Sequence, residues 1–227
     1  MQNRPAPVKV LLTGASGMVG RHVLDHLLSN SDVGEIVSIG RRRSDLNNGK
    51  LHEIIAEDFL DLSALAPDLA HVDVCFHCLG VYQSQVSKKA YVRITCGYQE
   101  ALTDALSAAS PDAVFVLFGA QGAKTDGKGM PFARAKGQAE NMLQATGFPK
   151  KYIFRPGYIH PTGTRRPPGV IYRLIMLPIM AKLFARKPSI GITDRDLAQA
   201  MVTVGIEAAE ESKVFNNQMI RDVVAPG

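Results

Sequence analysis

The sequence predicts an α/β protein built on a doubly wound parallel sheet, with helices on both faces and a small C-terminal lobe. Short apolar runs, typical of buried parallel strands, alternate along the chain with longer segments of helical periodicity. A glycine-rich turn joins the first of these strands to the first helix. The composition agrees, because 46% hydrophobic and 21% charged residues among 227 are typical of a globular domain.

The individual strands are predicted from apolar runs, and the helices from apolar residues spaced three and four positions apart. The predicted strands are residues 8–12, 35–39, 51–56, 72–78, 113–118 and 152–154. The predicted helices are residues 21–29, 86–109, 131–145 and 194–209. Because strands that alternate with helices are joined by right-handed crossovers, this order places helices on both faces of the sheet.

The last third of the chain has a different character. Turn signals at Pro156-Gly157, Pro161-Thr162-Gly163 and Pro167-Pro168-Gly169 precede a strongly apolar segment, 170–185. We predict a single domain over residues 1–227, with a core over 1–160 and a lobe or lid with closing elements over 161–227. The apolar segment is shorter than the roughly 20 residues of a membrane span, so we expect a lid, a subunit contact of a homo-oligomer, or a peripheral membrane contact.

The cysteines and the N-terminus bear on the compartment. Three cysteines, an odd number, argue against a disulfide-stapled secreted fold. No apolar run of signal-peptide length precedes the first strand, and cytosol is the expected location. Cys75 and Cys78 have the spacing of a metal-binding pair, but alternate positions in a strand point them to opposite faces and no second pair exists in the sequence. We therefore predict no metal site.

The net charge of +5 is unevenly distributed. Residues 141–193 contain no Asp or Glu and nine Lys or Arg, so the remaining residues carry a net charge of −4 (17 basic and 21 acidic residues). The basic half is compatible with an anionic cofactor, an anionic substrate or a membrane surface, or with solvated loop charges. No nucleic-acid partner is expected.

The glycine-rich turn is the strongest functional signal. Gly14, Gly17 and Gly20 follow the first strand and open the first helix. In a dinucleotide-binding fingerprint the first glycine permits the tight turn, the second admits a pyrophosphate, and the third lets the helix pack closely on the strand. The helix N-terminus then supplies amide donors to the phosphates. The residues predicted to bind the cofactor here are Gly14, Ser16, Gly17, Met18 and Val19.

The end of the second strand indicates which dinucleotide is preferred. An NAD-binding protein places an acid in this region for the ribose 2′-hydroxyl, whereas here Gly40 is followed by Arg41, Arg42 and Arg43. A guanidinium group donates two hydrogen bonds to a phosphate. We therefore predict that Arg41 and Arg42 favour NADP(H) over NAD(H). The alternative is a solvent-exposed basic turn without this role.

Together these motifs resemble the atypical short-chain dehydrogenase/reductases, with a Rossmann-like fold. TGASGMVG at 13–20, IGRRR at 39–43, DVCFHCLG at 73–80 and RPG at 155–157 carry the resemblance. They are similar to the small, epimerase-like branch that includes the Tat-interacting oxidoreductase. The resemblance implies that Asp58 and Phe59 lie beside the adenine and that Leu79 and Gly80 follow the adenosine ribose. It also implies that Pro156, Tyr158 and Ile159 lie near the nicotinamide.

The same resemblance identifies a departure in the catalytic residues. Relatives carry a Ser after the fifth strand and a Tyr four residues before a Lys, which together orient and protonate a carbonyl while hydride moves. Lys136 matches the Lys, but Phe132 occupies the Tyr position, and Gly119, followed by Ala120, occupies the Ser region. We therefore expect a degenerate catalytic site. Lys136 either holds the ribose of the cofactor or is an exposed helix lysine without this role.

Two functions remain open from the sequence. The first is an NADP(H)-binding oxidoreductase or epimerase-like protein that uses another proton donor on an unknown small-molecule substrate. Tyr158 and His160 are the foremost candidates for that donor, and Tyr82 and Thr125 are further ones. The second is a non-catalytic sensor, regulatory or scaffold protein that binds NADP(H) and signals its occupancy to a protein partner.

Overall fold

The computed structural model describes residues 7–163, 174, 176–209 and 211–225. Within these residues seven strands form one fully parallel sheet in the order β3-β2-β1-β4-β5-β6-β9. The strands of this sheet are β1 Val8–Thr13, β2 Val33–Gly40, β3 Leu51–Ile55, β4 Val74–His77, β5 Val114–Phe118, β6 Lys150–Arg155 and β9 Lys213–Asn216. The order reverses at β1, which places a crevice beside the carboxyl ends of β1 and β4.

The helices cover both faces of the sheet. They are α1 Met18–Ser29, α2 Ala66–Leu69, α3 Lys88–Val92, α4 Tyr98–Ala109, α5 Pro131–Gln144, α6 Leu177–Arg186, α7 Asp194–Glu207 and α8 Asn217–Val224. Alternate strand residues face opposite cores: Leu12 and Val116 pack with α1 and α7, while Leu11 and Phe115 pack with α4 and α5. This is the doubly wound architecture that the sequence predicts, and the prediction is confirmed.

One predicted helix is interrupted. Instead of a continuous helix over 86–109, a wide turn of π type, Arg93–Gly97, separates α3 from α4. A Cβ on Gly97 would lie 3.2 Å from the Leu60 side chain, so the glycine admits the loop after β3 against this turn. Such turns insert a residue without ending the helix, which is why apolar periodicity alone does not reveal them.

The C-terminal part of the chain returns to the main sheet. After β6, a short strand β7 Tyr158–His160 pairs in parallel with β8 Gly191–Thr193 in a separate two-stranded sheet. The chain then forms α7, which packs on α1, and adds β9 beside β6. The sequence predicts α7 but no strand at β7, β8 or β9, because three- and four-residue strands carry too few positions to show a period. The division into a core over 1–160 and a lobe over 161–227 stays a prediction.

Several residues singled out in the sequence lie outside the described residues: Arg165, Arg166, the breaker Pro167-Pro168-Gly169, Val170 and Arg173. Of the predicted apolar segment, the structure describes Leu174 and the residues from Met176 onward, which include helix α6. Among the described residues no helix is long and apolar enough to cross a membrane.

Candidate functional site

The glycine turn after β1 is a close-packed backbone structure. Gly14 has φ +80°, and a Cβ there would lie 2.6 Å from the carbonyl carbon of Cys78 at the end of β4. A Cβ on Gly20 would lie 2.1 Å from the carbonyl oxygen of Gly14. Any side chain at either position would therefore collide with backbone, which no rotamer change can relieve. The turn holds β1, β4 and the start of α1 against one another.

The N-terminus of α1 is available to an anion. Its N-cap is Gly17, which has no side chain to cap the first amides of the helix, and its first turn contains no acidic residue. The first amides of a helix lack intrahelical acceptors and carry the positive end of the helix dipole. Ser16, Gly17, Met18 and Val19, the predicted phosphate-binding residues, lie in this turn and the first helical residues. Their placement fits a pyrophosphate.

A cleft continues from this turn across the ends of β2 and β4. It is lined by Gly14, Ala15, Ser16, Gly17, Ser38, Gly40, Arg41, Arg42, Phe59, Cys78, Leu79 and Gly80. The side chains of Arg41 and Arg42 are exposed, and no Asp or Glu belongs to this described lining. The structure thus brings the glycine turn, the arginines, Phe59 and Leu79-Gly80 into one cleft, as the cofactor-binding prediction requires.

Asp58 is placed differently from its neighbour Phe59. The Phe59 ring is buried and stacks on Tyr98 with ring centroids 5.4 Å apart. The Asp58 carboxylate is exposed, accepts a hydrogen bond from the amide of Leu60, and lies 3.7 Å from the Arg93 guanidinium. Asp58 therefore orders the loop after β3, while Phe59 forms a wall of the cleft.

Lys136 lies on α5 below the end of β5. Its Nζ donates to the carbonyl oxygen of Phe118 at 3.3 Å and lies 5.8 Å from the centre of the Phe118 ring. Burial lowers the Lys136 pKa from its usual 10.5, and the negative charge of Glu140 opposes that shift. The Lys136 ammonium is therefore held in place by a carbonyl at the end of β5. Lys136 is not a solvent-exposed helix lysine.

Phe132 and Gly119, which the resemblance places at the family's Tyr and Ser positions, are both held by packing. Phe132, predicted to occupy the Tyr position, contacts Tyr91 with ring centroids 6.2 Å apart and packs against a small apolar cluster. A Cβ on Gly119 would lie 2.9 Å from the carbonyl oxygen of Phe154 and 3.1 Å from Oε1 of Glu140. A serine at 119 would consequently require the backbone of β6 to shift. The glycine here is a steric requirement of this chain.

Sequence reasoning missed a buried ion pair beside Gly119. Glu140, one helical turn after Lys136, is 1% exposed and accepts hydrogen bonds from Arg155 Nε at 2.9 and 3.1 Å and from Arg155 Nη2. The hydrogen bond to Glu140 raises the Arg155 pKa above its ordinary value. A glutamate at a buried position of an amphipathic helix is the signal that could have revealed the pair.

Sequence reasoning also missed a polar centre between β1 and β4. Thr13 Oγ1 and His77 Nδ1 are hydrogen-bonded at 2.8 Å, and both residues are buried. Burial lowers the His77 pKa to about 3, and the positive charge of Lys136 adds to that shift. His77 also borders a small cavity with Gln99 and Lys136, in which Gln99 Oε1 has no hydrogen-bond partner among the described residues. His77 is thus a neutral core imidazole at neutral pH.

The candidates for a replacement proton donor fall into two groups. Tyr158 Oη and His160 Nδ1 are 3.3 Å apart, on the same side of β7, and both rings contact Phe184 of α6. Tyr82 and Thr125 are exposed loop residues. The Thr125 carbonyl accepts from the Asn141 side chain on the outer part of α5. The structure therefore pairs Tyr158 with His160 and places Thr125 against α5.

Pro156 and Ile159, the other residues expected near the nicotinamide, lie in the segment that follows β6. The Pro156 carbonyl accepts from the amide of Gln121 at 3.0 Å, which joins the loops after β5 and β6. The adjoining Gly157 amide donates to Asn217, the first residue of α8. Ile159 packs against the core formed by α1 and α7. The loop after β6 is thereby fixed on three sides.

The cysteine pair set aside in the sequence analysis lies in two different cores. Cys75 packs with the α4 and α5 side of the sheet and Cys78 with the α1 and α7 side, and both thiols are free and buried. Burial raises the pKa of both thiols, that of Cys78 to about 12. Within the described residues no group of three metal-ligating side chains occurs.

Comparison with known proteins gives the family and the fold. Residues 10–146 match the model of the NAD dependent epimerase/dehydratase family. Protein fmp52-1, mitochondrial, of Aspergillus terreus is 30% identical over 213 residues, covering 88% of each chain. Protein HTATIP2 of Rattus norvegicus is 27% identical over 161 residues, 70% of this chain and 64% of that one. This similarity confirms the predicted resemblance to the Tat-interacting branch.

Solved structures agree in fold. The Bordetella bronchiseptica enzyme WbmG, solved in complex with NAD, superposes with a TM-score of 0.68 at 16% identity, covering all of this chain and 84% of that one. At such identity the likeness concerns the fold alone.

The predicted cytosolic location is contradicted by these relatives. Proteins from Aspergillus terreus, Aspergillus niger and Aspergillus clavatus that are 29–30% identical to this chain are named as mitochondrial. The prediction rested on the lack of a secretory signal peptide, a pattern that does not distinguish cytosol from other intracellular locations.

The glycine fingerprint in its strand-turn-helix context, the reversed sheet order and the family match over 137 of 227 residues, 10 to 146, agree with one another. Together they indicate a dinucleotide-binding, epimerase-like protein. The chain belongs to the NAD-dependent epimerase/dehydratase family.

Proposed function

We propose that this protein is an NADP(H)-binding oxidoreductase or epimerase-like enzyme that departs from its relatives in the proton-transfer residues. The observation that supports the cofactor preference is the cleft itself. Arg41 and Arg42 line it beside the glycine turn, and none of its described lining residues is acidic. A carboxylate at the end of β2 would repel a 2′-phosphate, whereas guanidinium groups attract one. Bound NADP(H) would supply or accept hydride.

Calorimetric titration tests the preference. We expect NADPH to bind at least tenfold more tightly than NADH, because a hydrogen bond to a charged group contributes about 1.5–3 kcal/mol. Arg41→Asp should abolish the difference. Arg43→Asp is the matched control, since Arg43 is an exposed neighbour outside the cleft lining. Equal affinities for the two cofactors in the unmodified protein would contradict the proposed preference.

For the chemical step, we propose that Tyr158 and His160 carry the proton in place of the missing tyrosine. The Tyr158 hydroxyl and the His160 imidazole, which lie 3.3 Å apart, can both exchange protons, whereas the Phe132 ring cannot. Lys136 would then hold the ribose of the cofactor, as in the family pattern. On a panel of carbonyl compounds with NADPH, Tyr158→Phe and Lys136→Ala should each lower turnover by ~10²-fold or more. Turnover unchanged in Tyr158→Phe would contradict the assignment.

A second function is favoured by the packing of the two replaced positions. Gly119 lacks room for a side chain, and Phe132 is anchored on Tyr91. This supports a protein that binds NADP(H) without turnover and reports its occupancy to a protein partner. Tight NADPH binding together with turnover no faster than that of Lys136→Ala would favour this function over catalysis.

We further propose a mitochondrial location, on the names of the Aspergillus relatives. Fractionation of cells that express the tagged chain tests it. Recovery with the cytosolic fraction alone would contradict it.

A further inference from the structure

Helix α6 is an amphipathic helix that the described fold leaves largely uncovered. None of its residues is buried, although half of them are large apolar side chains. Leu174, just before it, is 71% exposed, and within it Ile179 and Leu183 are 54% and 44% exposed. Scattered exposed apolar residues are ordinary on protein surfaces, but a contiguous strip marks an interaction site.

The exposed apolar residues lie on one side of α6. Met176, Ile179 and Leu183 follow a spacing of three and four, which places them along one face of the helix. The inner face is identified by Phe184, which stacks on His160 at 5.4 Å and contacts Tyr158 at 5.9 Å. The helix is therefore attached to the molecule through one face while a second, apolar face points to solvent.

Basic side chains border the exposed strip. Lys182 and Arg186 are one turn apart on its flank, and Lys187 follows the last helical residue. All three are exposed, and none forms an ion pair with a described residue. The sequence from 141 to 193 holds no Asp or Glu that could neutralise them locally. An apolar strip edged by unneutralised cations is complementary to a surface that is both apolar and anionic.

We propose that α6 docks the protein on an anionic lipid bilayer, with Ile179 and Leu183 in the interfacial region and Lys182 and Arg186 against the headgroups. A helix lying in the plane of the interface needs a hydrophobic face and a basic flank, and it does not need the length of a membrane span. The contribution of each cation near an anionic leaflet is about 1 kcal/mol, or about fivefold in binding.

Charge argues against a second copy of the chain as the occupant. A two-fold contact through this face would bring Lys182 and Arg186 of both copies together, because such an interface pairs the same patch with itself. Like charges at short range destabilise such a contact. The exposed strip also does not form a lid over Tyr158 and His160. Phe184, which contacts these two residues, lies on a different face of α6 from the strip.

Flotation of the full chain with vesicles tests the proposal. We expect binding to vesicles of equal parts phosphatidylcholine and phosphatidylglycerol, no binding to phosphatidylcholine alone, and loss of binding as salt rises. Lys182→Glu with Arg186→Glu should weaken binding about 25-fold or more, from the loss of two cations at about fivefold each. Lys88→Glu with Lys89→Glu, an equal charge change at two exposed residues of α3, should bind more strongly than that variant.

A second pair of variants tests the apolar strip. Leu183→Asp should weaken vesicle binding about tenfold or more, whereas Val92→Asp, at an apolar residue of similar exposure (42%), should not. Melting temperatures of all four variants report whether they fold. Binding to neither vesicle, or equal binding by the Lys182→Glu/Arg186→Glu variant, would overturn the proposal. The proposal would also be overturned if the chain did not bind vesicles and formed a dimer that Leu183→Asp dissociates. That result would assign the strip to a second copy of the chain.

Discussion

Two halves of one sheet edge hold their functional groups by different means. At the ends of β1 and β4 the site is made of backbone, and its shape depends on side chains that are absent: Gly14 and Gly20 allow strand, turn and helix to touch. At the ends of β5 and β6 the site depends on side chains that are present, with Lys136 on a strand-end carbonyl and Glu140 paired to Arg155. The first half is therefore sensitive to added atoms. The second half is sensitive to lost charges as well, although Gly119 there also has no room for a side chain.

Adding one methyl group to the first half should have the largest effect. Gly20→Ala places a Cβ 2.1 Å from the Gly14 carbonyl oxygen. In a helix Ala ordinarily stabilises by about 1 kcal/mol over Gly, yet here we expect a loss of at least ~3 kcal/mol from overpacking, or failure to fold. Urea unfolding measures it. Gly49→Ala, where no atom lies within 4 Å of the new Cβ, is the control, and an equally stable Gly20→Ala would contradict the steric account.

Removing one charge from the second half should cost nearly as much. Glu140→Gln leaves Arg155 partly buried without its carboxylate and removes the negative charge that supports the Lys136 ammonium. Breaking a buried ion pair in this way typically costs ~3 kcal/mol. Glu100→Gln, at an exposed position on α4, should change the free energy of unfolding by less than about 0.5 kcal/mol. Equal stabilities of the two variants would show that the pair does not contribute.

His77 lies on β4, where the two halves meet, and should make the stability of the protein sensitive to acid. Since the pKa of His77 falls from 6.5 to about 3 in the folded state, the unfolded chain binds a proton that the folded protein does not between these values. Stability should therefore decrease as pH falls from about 6.5 towards 3, by up to about 1.4 kcal/mol per pH unit.

Replacing His77 tests the source of that dependence. His77→Asn removes the titration and keeps an acceptor for Thr13, so its free energy of unfolding should change less between pH 7 and pH 5. His71→Asn is the matched control, because His71 is exposed and has φ 60°, which Asn tolerates. An unchanged acid slope in His77→Asn would assign the dependence to other groups.

Restoring the family residues in the second half should have the smallest effect on stability. Phe132→Tyr adds one hydroxyl at a partly exposed ring, and Ala120→Ser supplies a hydroxyl without the clash that Gly119→Ser would cause. We expect the double variant to keep its stability within ~1 kcal/mol. If the unmodified site is inert, carbonyl reduction should rise above the unmodified level; if Tyr158 and His160 already serve, it should change little. A turnover assay with NADPH distinguishes the two.

The part of the fold that the sequence predicts best is the part with long, regular periods. The predicted strands and helices from β1 to α5 form in the predicted order, and their ends differ by only a few residues, although the short helix α2 was not predicted. The interrupted helix at Arg93–Gly97 and the strands β7, β8 and β9 were missed, since a turn of π type and strands of three or four residues leave no distinct apolar pattern.

For the site, the sequence by itself determined the position of the glycine turn and of the arginines after β2. Local backbone geometry limits which residues such a turn accepts, and the residues after the second strand of this fold lie beside the cofactor ribose. Through the family resemblance it also predicts that Phe132 and Gly119 stand where relatives carry Tyr and Ser. Only the tertiary structure decided that Gly119 has no room for a side chain, that Glu140 pairs with Arg155, and that His77 is neutral. These properties depend on contacts between residues 15 to 64 positions apart, and their energies come from burial that no single segment of the chain produces.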